Sequence, residues 1–65
     1  MTFTEAMDQM FNRGKTIKRK KWPFGRVLEW SDEFQTATLY REDGETETYA
    51  MLRMDYMAKD WEIDA

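Results

Sequence analysis

The chain has 65 residues, a formal net charge of −3, and neither cysteine nor histidine. The absence of cysteine and histidine excludes disulfides and the usual zinc sites. The negative net charge argues against a dedicated DNA-binding protein. We expect a single domain, residues 1–65, whose own core supplies only about 3–5 kcal/mol of stability. Since 15% of the residues are aromatic, we expect a partner subunit or a ligand to cover part of this apolar surface.

The opening run MTFTEAMDQMFNRGK predicts a short amphipathic helix. Thr2 and Glu5 have the spacing of a capping box, and Gly14 follows as a C-terminal cap. The apolar residues that recur at helical spacing are Phe3, Ala6, Met7, Met10 and Phe11.

Short strands are predicted downstream in KTIKRKKW, RVLEW, QTATLYR and ETETYAML, with turns at WPFG and SDEF. Asp43 and Gly44 form the dipeptide that two-residue hairpins favour. The run RMDYMAKD predicts one or two helical turns, and WEID predicts a last strand. The order predicts an α+β fold: one N-terminal helix packed on a small twisted antiparallel β-sheet, with a short helical turn before the last strand.

The C-terminal run MDYMAKDWEID combines aromatic, acidic and methionine residues. We expect Met54, Met57 and Trp61 to close the core under the first helix, because methionine fills irregular core space. Asp55 and Asp60 are expected to cap or fix the turn before the last strand. Trp61 is therefore predicted to be mainly structural.

The residues offer little for enzyme chemistry. A general base at neutral pH is most often histidine, and Ser31 has no visible activating partner. The acid pairs Asp32/Glu33 and Asp60/Glu62 fit a solvated turn or strand edge better than a divalent-metal site. We predict no enzyme activity, no cofactor and no metal. Only short apolar runs occur and no signal-peptide core follows Met1, so no membrane segment is predicted.

A basic run precedes the first tryptophan. Its cations are Arg13, Lys15, Lys18, Arg19, Lys20 and Lys21. Such a run can bind phosphate, or it can be a solvated strand that protects a sheet edge. Trp22 closes the run and can either stack on a base, an interaction worth about 1–3 kcal/mol, or pack in the core.

Two motifs at the ends of the chain resemble the Thoeris anti-defence two family of small phage-encoded proteins. The first motif is carried by Phe3, Glu5, Ala6, Met10, Gly14, Lys15, Ile17, Arg19 and Trp22. The second is carried by Asp55, Ala58, Asp60, Trp61 and Ile63. The resemblance covers roughly half of the chain, in the expected order, and brackets a middle that matches no fixed pattern.

The resemblance implies a protein that binds a cyclic ADP-ribose derivative or cyclic oligonucleotide and sequesters this immune signal without cleaving it. It also implies a homotetramer, built as a dimer of dimers with the ligand between subunits, in the cytoplasm of the infected bacterial host. Carried over position by position, Trp22 would stack on a base and Arg19 would contact phosphate or ribose. Lys18, as a cation of the basic run, would help to neutralise a pyrophosphate. Phe3 and Phe11 would position the helix against the sheet. By the same resemblance, Asp60 would either accept a hydrogen bond from ribose or base, or fix the fold.

Two other functions are consistent with the residues. Exposed aromatic residues and free sheet edges would suit an inhibitor that docks on a host protein. The basic run with Trp22 would suit a single-stranded nucleic-acid binder, whose affinity would fall steeply with salt. The net charge of −3 makes nucleic acid the weaker of these two alternatives.

Overall fold

The computed structural model describes residues 1–64 and has an α+β architecture. The elements are α1 (Phe3–Arg13), β1 (Ile17–Arg19), β2 (Val27–Ser31), β3 (Thr36–Tyr40), β4 (Thr46–Thr48), α2 (Arg53–Met57) and β5 (Trp61–Ile63). The five strands form one sheet in the order β4-β3-β2-β1-β5, and every neighbouring pair is antiparallel. The predicted fold class is confirmed, including the short helix before the last strand.

Helix α1 begins and ends where the sequence predicts. The Glu5 backbone N–H donates to the Thr2 hydroxyl at 3.3 Å, and the Thr2 backbone N–H donates to the Glu5 carboxylate at 2.9 Å. Gly14 ends the helix with φ of 64°, a left-handed conformation that glycine adopts without strain. Both ends of the helix therefore follow from local sequence.

The core lies between α1 and one face of the sheet. The strand register aligns Ile63, Ile17, Leu28 and Leu39 across four neighbouring strands, so their side chains share one face. Helix α1 covers this face with Ala6 and Met10, which are both buried. The remaining buried hydrophobic residues are Ala37 and Trp61.

The N-terminus is bonded directly to the last strand. The Met1 ammonium donates to the Trp61 carbonyl at 2.8 Å, and the Trp61 backbone N–H donates to the Met1 carbonyl at 3.2 Å. On its other edge β5 pairs with β1, where Arg19 lies opposite Trp61. The segment that carries Trp61 is therefore held on both sides, although it lies close to the end of the chain.

Two expectations about the C-terminal half are wrong. Met54 and Met57 do not close the core, since they are 59% and 67% exposed. The reason is that α2 turns Asp55 inward, and a helix rotates successive side chains by about 100° per residue, which directs Met54 and Met57 outward. The strand predicted over ETETYAML is also shorter, because β4 ends at Thr48 and the chain then leaves the sheet for α2.

Candidate functional site

An aromatic group lies where the β1–β2 loop meets α2 and β5. Trp22 is half-buried, and its ring packs at steep angles against Tyr49 and Trp61, with centroid distances of 5.9 and 5.7 Å. Trp61 is fully buried, so it cannot reach a ligand. Trp22 thus keeps part of its surface open while its neighbours hold its orientation.

Arg19 is the centre of a polar cluster beside the Trp61 ring, in which Arg19 and Asp55 are buried. Its Nη1 donates to Asp55 Oδ1 at 3.0 Å, and its Nε donates to Asp60 Oδ1. Its guanidinium carbon lies 5.7 Å from the centre of the Trp61 ring. Only 6% of Arg19 is exposed, so its guanidinium is enclosed in the fold with Nη1 and Nε each bonded to a carboxylate.

Asp55 joins this cluster to the loop that leads into α2. Its Oδ2 accepts hydrogen bonds from the Tyr49 hydroxyl at 2.7 Å and from the Leu52 backbone N–H at 2.9 Å. The Trp61 indole N–H donates to the Asp55 carbonyl at 3.0 Å. Throughout residues 1–64, every buried side-chain nitrogen or oxygen has a partner. We call Arg19, Asp55, Asp60 and Tyr49 the Arg19 cluster.

The Arg19 cluster shifts the ionisation of its members. The hydrogen bond from Arg19 lowers the pKa of Asp60 below its ordinary value. Burial, followed by the hydrogen bond to Asp55, raises the pKa of Tyr49 to about 12. Asp60 is therefore a carboxylate at neutral pH, and Tyr49 keeps its proton.

The Tyr49 shift predicts a loss of stability in alkali. The native pKa of Tyr49 is about 12 and its ordinary value is 10.0. Protonated Tyr49 therefore stabilises the fold fully below about pH 10, and this stabilisation is lost as the pH rises through the native pKa. Ultraviolet titration of tyrosinate should show Tyr49 ionising at its raised pKa of about 12, in a step that coincides with loss of the folded circular dichroism. Tyr49→Phe should abolish that step, and an unchanged alkaline transition in this variant would contradict the assignment.

The predicted site residues fall into separate places. Trp22, Arg19 and Asp60 lie together, and Phe3 reaches the same group through an edge contact of 6.2 Å with the Trp61 ring. Phe11 lies elsewhere, stacked at 4.2 Å on Trp30 of β2. Phe3 and Phe11 each contact an aromatic residue of the sheet, Trp61 and Trp30 respectively.

Lys18 lies on the other face of the sheet from Arg19. Side chains alternate along a strand, and Ile17 and Arg19 are buried while Lys18 is half-buried. Its ammonium lies 3.7 Å from carboxylate oxygens of Glu62 and Asp64. The charge of Lys18 is thus balanced within the chain, at a distance from Trp22.

The face of the sheet opposite α1 carries a groove that the sequence did not lead us to predict. Its volume is about 670 Å³, within the usual size of small-molecule sites, about 300–1,000 Å³. The lining residues are Glu29, Trp30, Ser31, Asp32, Glu33, Phe34, Thr38, Tyr40, Thr46, Glu47 and Thr48. The alternating threonines of QTATLYR and ETETYAML are the sequence pattern that could have predicted this polar groove. The strand register then places Thr38 beside both Glu29 and Thr48.

The charges of this sheet groove do not suit a phosphate. Four carboxylates line it, from Glu29, Asp32, Glu33 and Glu47, and no lysine or arginine does. In the described part of the chain, the cations without a carboxylate within ion-pair distance are Lys15, Lys20, Lys21, Arg53 and Lys59. Hydroxyl groups and free cations therefore occupy different regions of the subunit.

Comparison with known families assigns the chain. The model of the Tad2-like family, described as the Thoeris anti-defense 2-like domain, matches residues 1–63 of the 65-residue chain. The chain belongs to this family. The match confirms the resemblance drawn from the two terminal motifs, and it extends across the middle that those motifs leave open. A Tad2-like domain has a Thoeris anti-defence role.

No curated protein matches the chain. Across residues 1–64, no group of three or more acids is arranged to hold a metal ion. Neither helix of the Tad2-like domain described above has the length and apolar character needed to cross a membrane.

Proposed function

We propose that this Tad2-like domain captures a cyclic nucleotide-like immune signal, of the cyclised ADP-ribose or cyclic oligonucleotide class, and sequesters it without cleavage. The observation that carries the proposal is the family match over residues 1–63. The domain would act in the cytoplasm of the infected bacterium, where a captured signal cannot activate its effector. A non-covalent trap needs no catalytic group, and its affinity comes from a site that is already formed.

We further propose that the binding pocket lies between subunits of a homotetramer, arranged as a dimer of dimers. The charge distribution supports this arrangement. The sheet groove offers hydroxyl and carboxylate groups that suit ribose, whereas a pyrophosphate requires cations from outside the groove. A second subunit could bring Lys20 and Lys21 to the groove, and it would cover apolar surface that so short a chain leaves exposed.

The Trp22 ring is the proposed stacking platform, since it is held in place and partly open. Asp60, whose side chain is 34% exposed, has an oxygen free to accept a hydrogen bond from ribose. We assign Arg19 a positioning role rather than direct phosphate contact, because only 6% of the residue is exposed and its Nη1 and Nε already bind Asp55 and Asp60. Arg19 would act through Asp60 and through the Trp61 ring, which packs on Trp22.

Signal release after denaturation tests this function. The purified domain is incubated with filtered lysate from cells with an active Thoeris enzyme, washed and heated, and the supernatant is examined by mass spectrometry. We expect an intact nucleotide in about one equivalent per site, and a loss of about tenfold or more in affinity for Trp22→Ala, the effect of removing one stacked base contact.

The control variant for this experiment is Met57→Ala, an apolar truncation at a site that is 67% exposed. It should release as much nucleotide as the parent domain. Recovery of a hydrolysed product would contradict sequestration without cleavage. An absence of any nucleotide across Thoeris and cyclic-oligonucleotide signals, with a monomeric mass in solution, would refute the proposed function.

One observation favours a second candidate function. Four large apolar residues, Leu52, Met54, Tyr56 and Met57, are between 55% and 67% exposed on α2 and its N-cap. A surface of this kind is typical of a protein interface. A pull-down that recovers one stoichiometric host protein and no small molecule would support direct inhibition of that protein instead.

A further inference from the structure

We infer that residues 20–26, which we call the Phe24 loop, form a second nucleotide-contact element that the family assignment does not provide. In this inference the Phe24 ring stacks on a base, and Lys20 and Lys21 bind the phosphate groups attached to it. The chemical class is a small nucleotide with a base and at least one phosphate bridge. The inference rests on the proposed function, and it adds to Trp22 a second aromatic contact.

The backbone of the Phe24 loop presents its ring to solvent. The Trp22 N–H donates to the Arg19 carbonyl at 3.0 Å, and the Arg26 N–H donates to the Pro23 carbonyl at 3.1 Å. The second turn has Gly25 at its third position with φ of 93°, as a type II turn requires. Phe24 therefore occupies the outer corner of that turn, where it is 94% exposed.

The Phe24 loop is anchored on both sides of this corner. On one side, Arg26 donates two hydrogen bonds to the Glu42 carboxylate, at 3.0 and 2.7 Å. Gly25 lies so close to the next hairpin that a Cβ atom there would be 3.4 Å from Glu42 Cα. On the other side, Trp22 packs on Trp61. A ring on an anchored turn loses little conformational freedom on binding, which favours its use as a contact.

The charges of the Phe24 loop favour an anion. Lys20 and Lys21 are exposed, and within residues 1–64 neither has a carboxylate within ion-pair distance. The nearby carboxylates are already bonded to arginine, Glu42 to Arg26 and Asp60 to Arg19. Both lysines are therefore free to bind phosphate.

The combination of groups selects the ligand class. An isolated exposed phenylalanine would suit any apolar partner, but a ring in the same short loop as two unpaired lysines matches a base joined to phosphate. The net charge of −3 disfavours a long polyanion, whose binding depends on many cations. A small nucleotide requires only the charges that the Phe24 loop supplies.

Calorimetric titration of the full chain with cyclic ADP-ribose and with cyclic di-GMP tests the inference. We expect Phe24→Ala to weaken the binding of at least one probe by about tenfold or more, the effect of losing one base–aromatic stack. The double variant Lys20→Gln/Lys21→Gln should weaken it and also flatten its dependence on salt. Since all three side chains are exposed, circular dichroism should show each variant folded.

Matched controls separate the loop from general surface effects. Met57→Ala removes an exposed apolar side chain on α2, and Lys15→Gln removes an unpaired cation at the opposite end of β1. Both should bind the probes like the parent chain. If the parent binds a probe and Phe24→Ala is indistinguishable from Met57→Ala, the inference is wrong and the proposed function stands. A parent chain that binds neither probe nor the lysate signal refutes both. Tighter binding of a single-stranded oligonucleotide than of either probe also overturns the inference.

Discussion

Replacing Arg19 with methionine should lower the free energy of unfolding by about 3–5 kcal/mol, since it leaves a buried carboxylate without its cation. Asp55 is only 2% exposed, and Arg19 supplies its charged partner at 3.0 Å. Methionine preserves much of the apolar stem of arginine, so the loss reports on charge and hydrogen bonding more than on packing. For a domain of this size such a loss removes most of the stability. Urea denaturation followed by circular dichroism measures it.

Two further variants show whether the loss comes from the buried charge. Arg41→Met breaks the exposed pair between Arg41 and Glu47 and should change stability by less than about 1 kcal/mol. Adding Asp55→Asn to Arg19→Met should recover part of the loss, because asparagine removes the buried charge and still accepts hydrogen bonds. If Arg19→Met were no more destabilising than Arg41→Met, the Arg19 cluster would not be a principal source of stability.

Trp61→Ala is expected to be equally severe, at about 3–5 kcal/mol, as for other large-to-small changes in a core. The Trp61 ring is 1% exposed, and it contacts Phe3 and Trp22 while its indole N–H donates to the Asp55 carbonyl. The variant therefore loses contacts to α1, the β1–β2 loop and α2 together. Thermal and urea unfolding measure the effect.

The comparison variant is Trp22→Ala, which truncates the same residue type at a half-buried position. It should lower stability by clearly less than Trp61→Ala, because less apolar area is lost from the core, and it should stay folded for the binding experiments. Equal destabilisation by the two changes would contradict the assignment of Trp61 to structure and Trp22 to binding.

The elements that the sequence predicted well are those whose signals are local. The capping box of Thr2 and Glu5, the glycine at position 14 and the alternation within β3 each involve residues close together along the chain. Local geometry decides such features directly, since helices and strands repeat every 3.6 and 2 residues, respectively. The family resemblance was also accessible, because it depends on short motifs at the two ends.

The roles of Arg19, Phe24 and the sheet groove depend on distant parts of the chain. Arg19 meets Asp55 and Asp60 across 36 and 41 residues, so the sequence alone could show a basic run but not which of its cations is already paired. The groove requires the register of three strands, which places threonines and acids of separate segments side by side.

The sequence by itself determined the helix caps, the order of the elements and the family. The tertiary structure decided which residues with similar chemistry are buried and which remain available. It enclosed Trp61 and Arg19, left Trp22 half-open, and turned Phe24 to solvent. The physical reason is that burial and ion pairing depend on what packs from other elements, whereas capping and periodicity depend only on near neighbours.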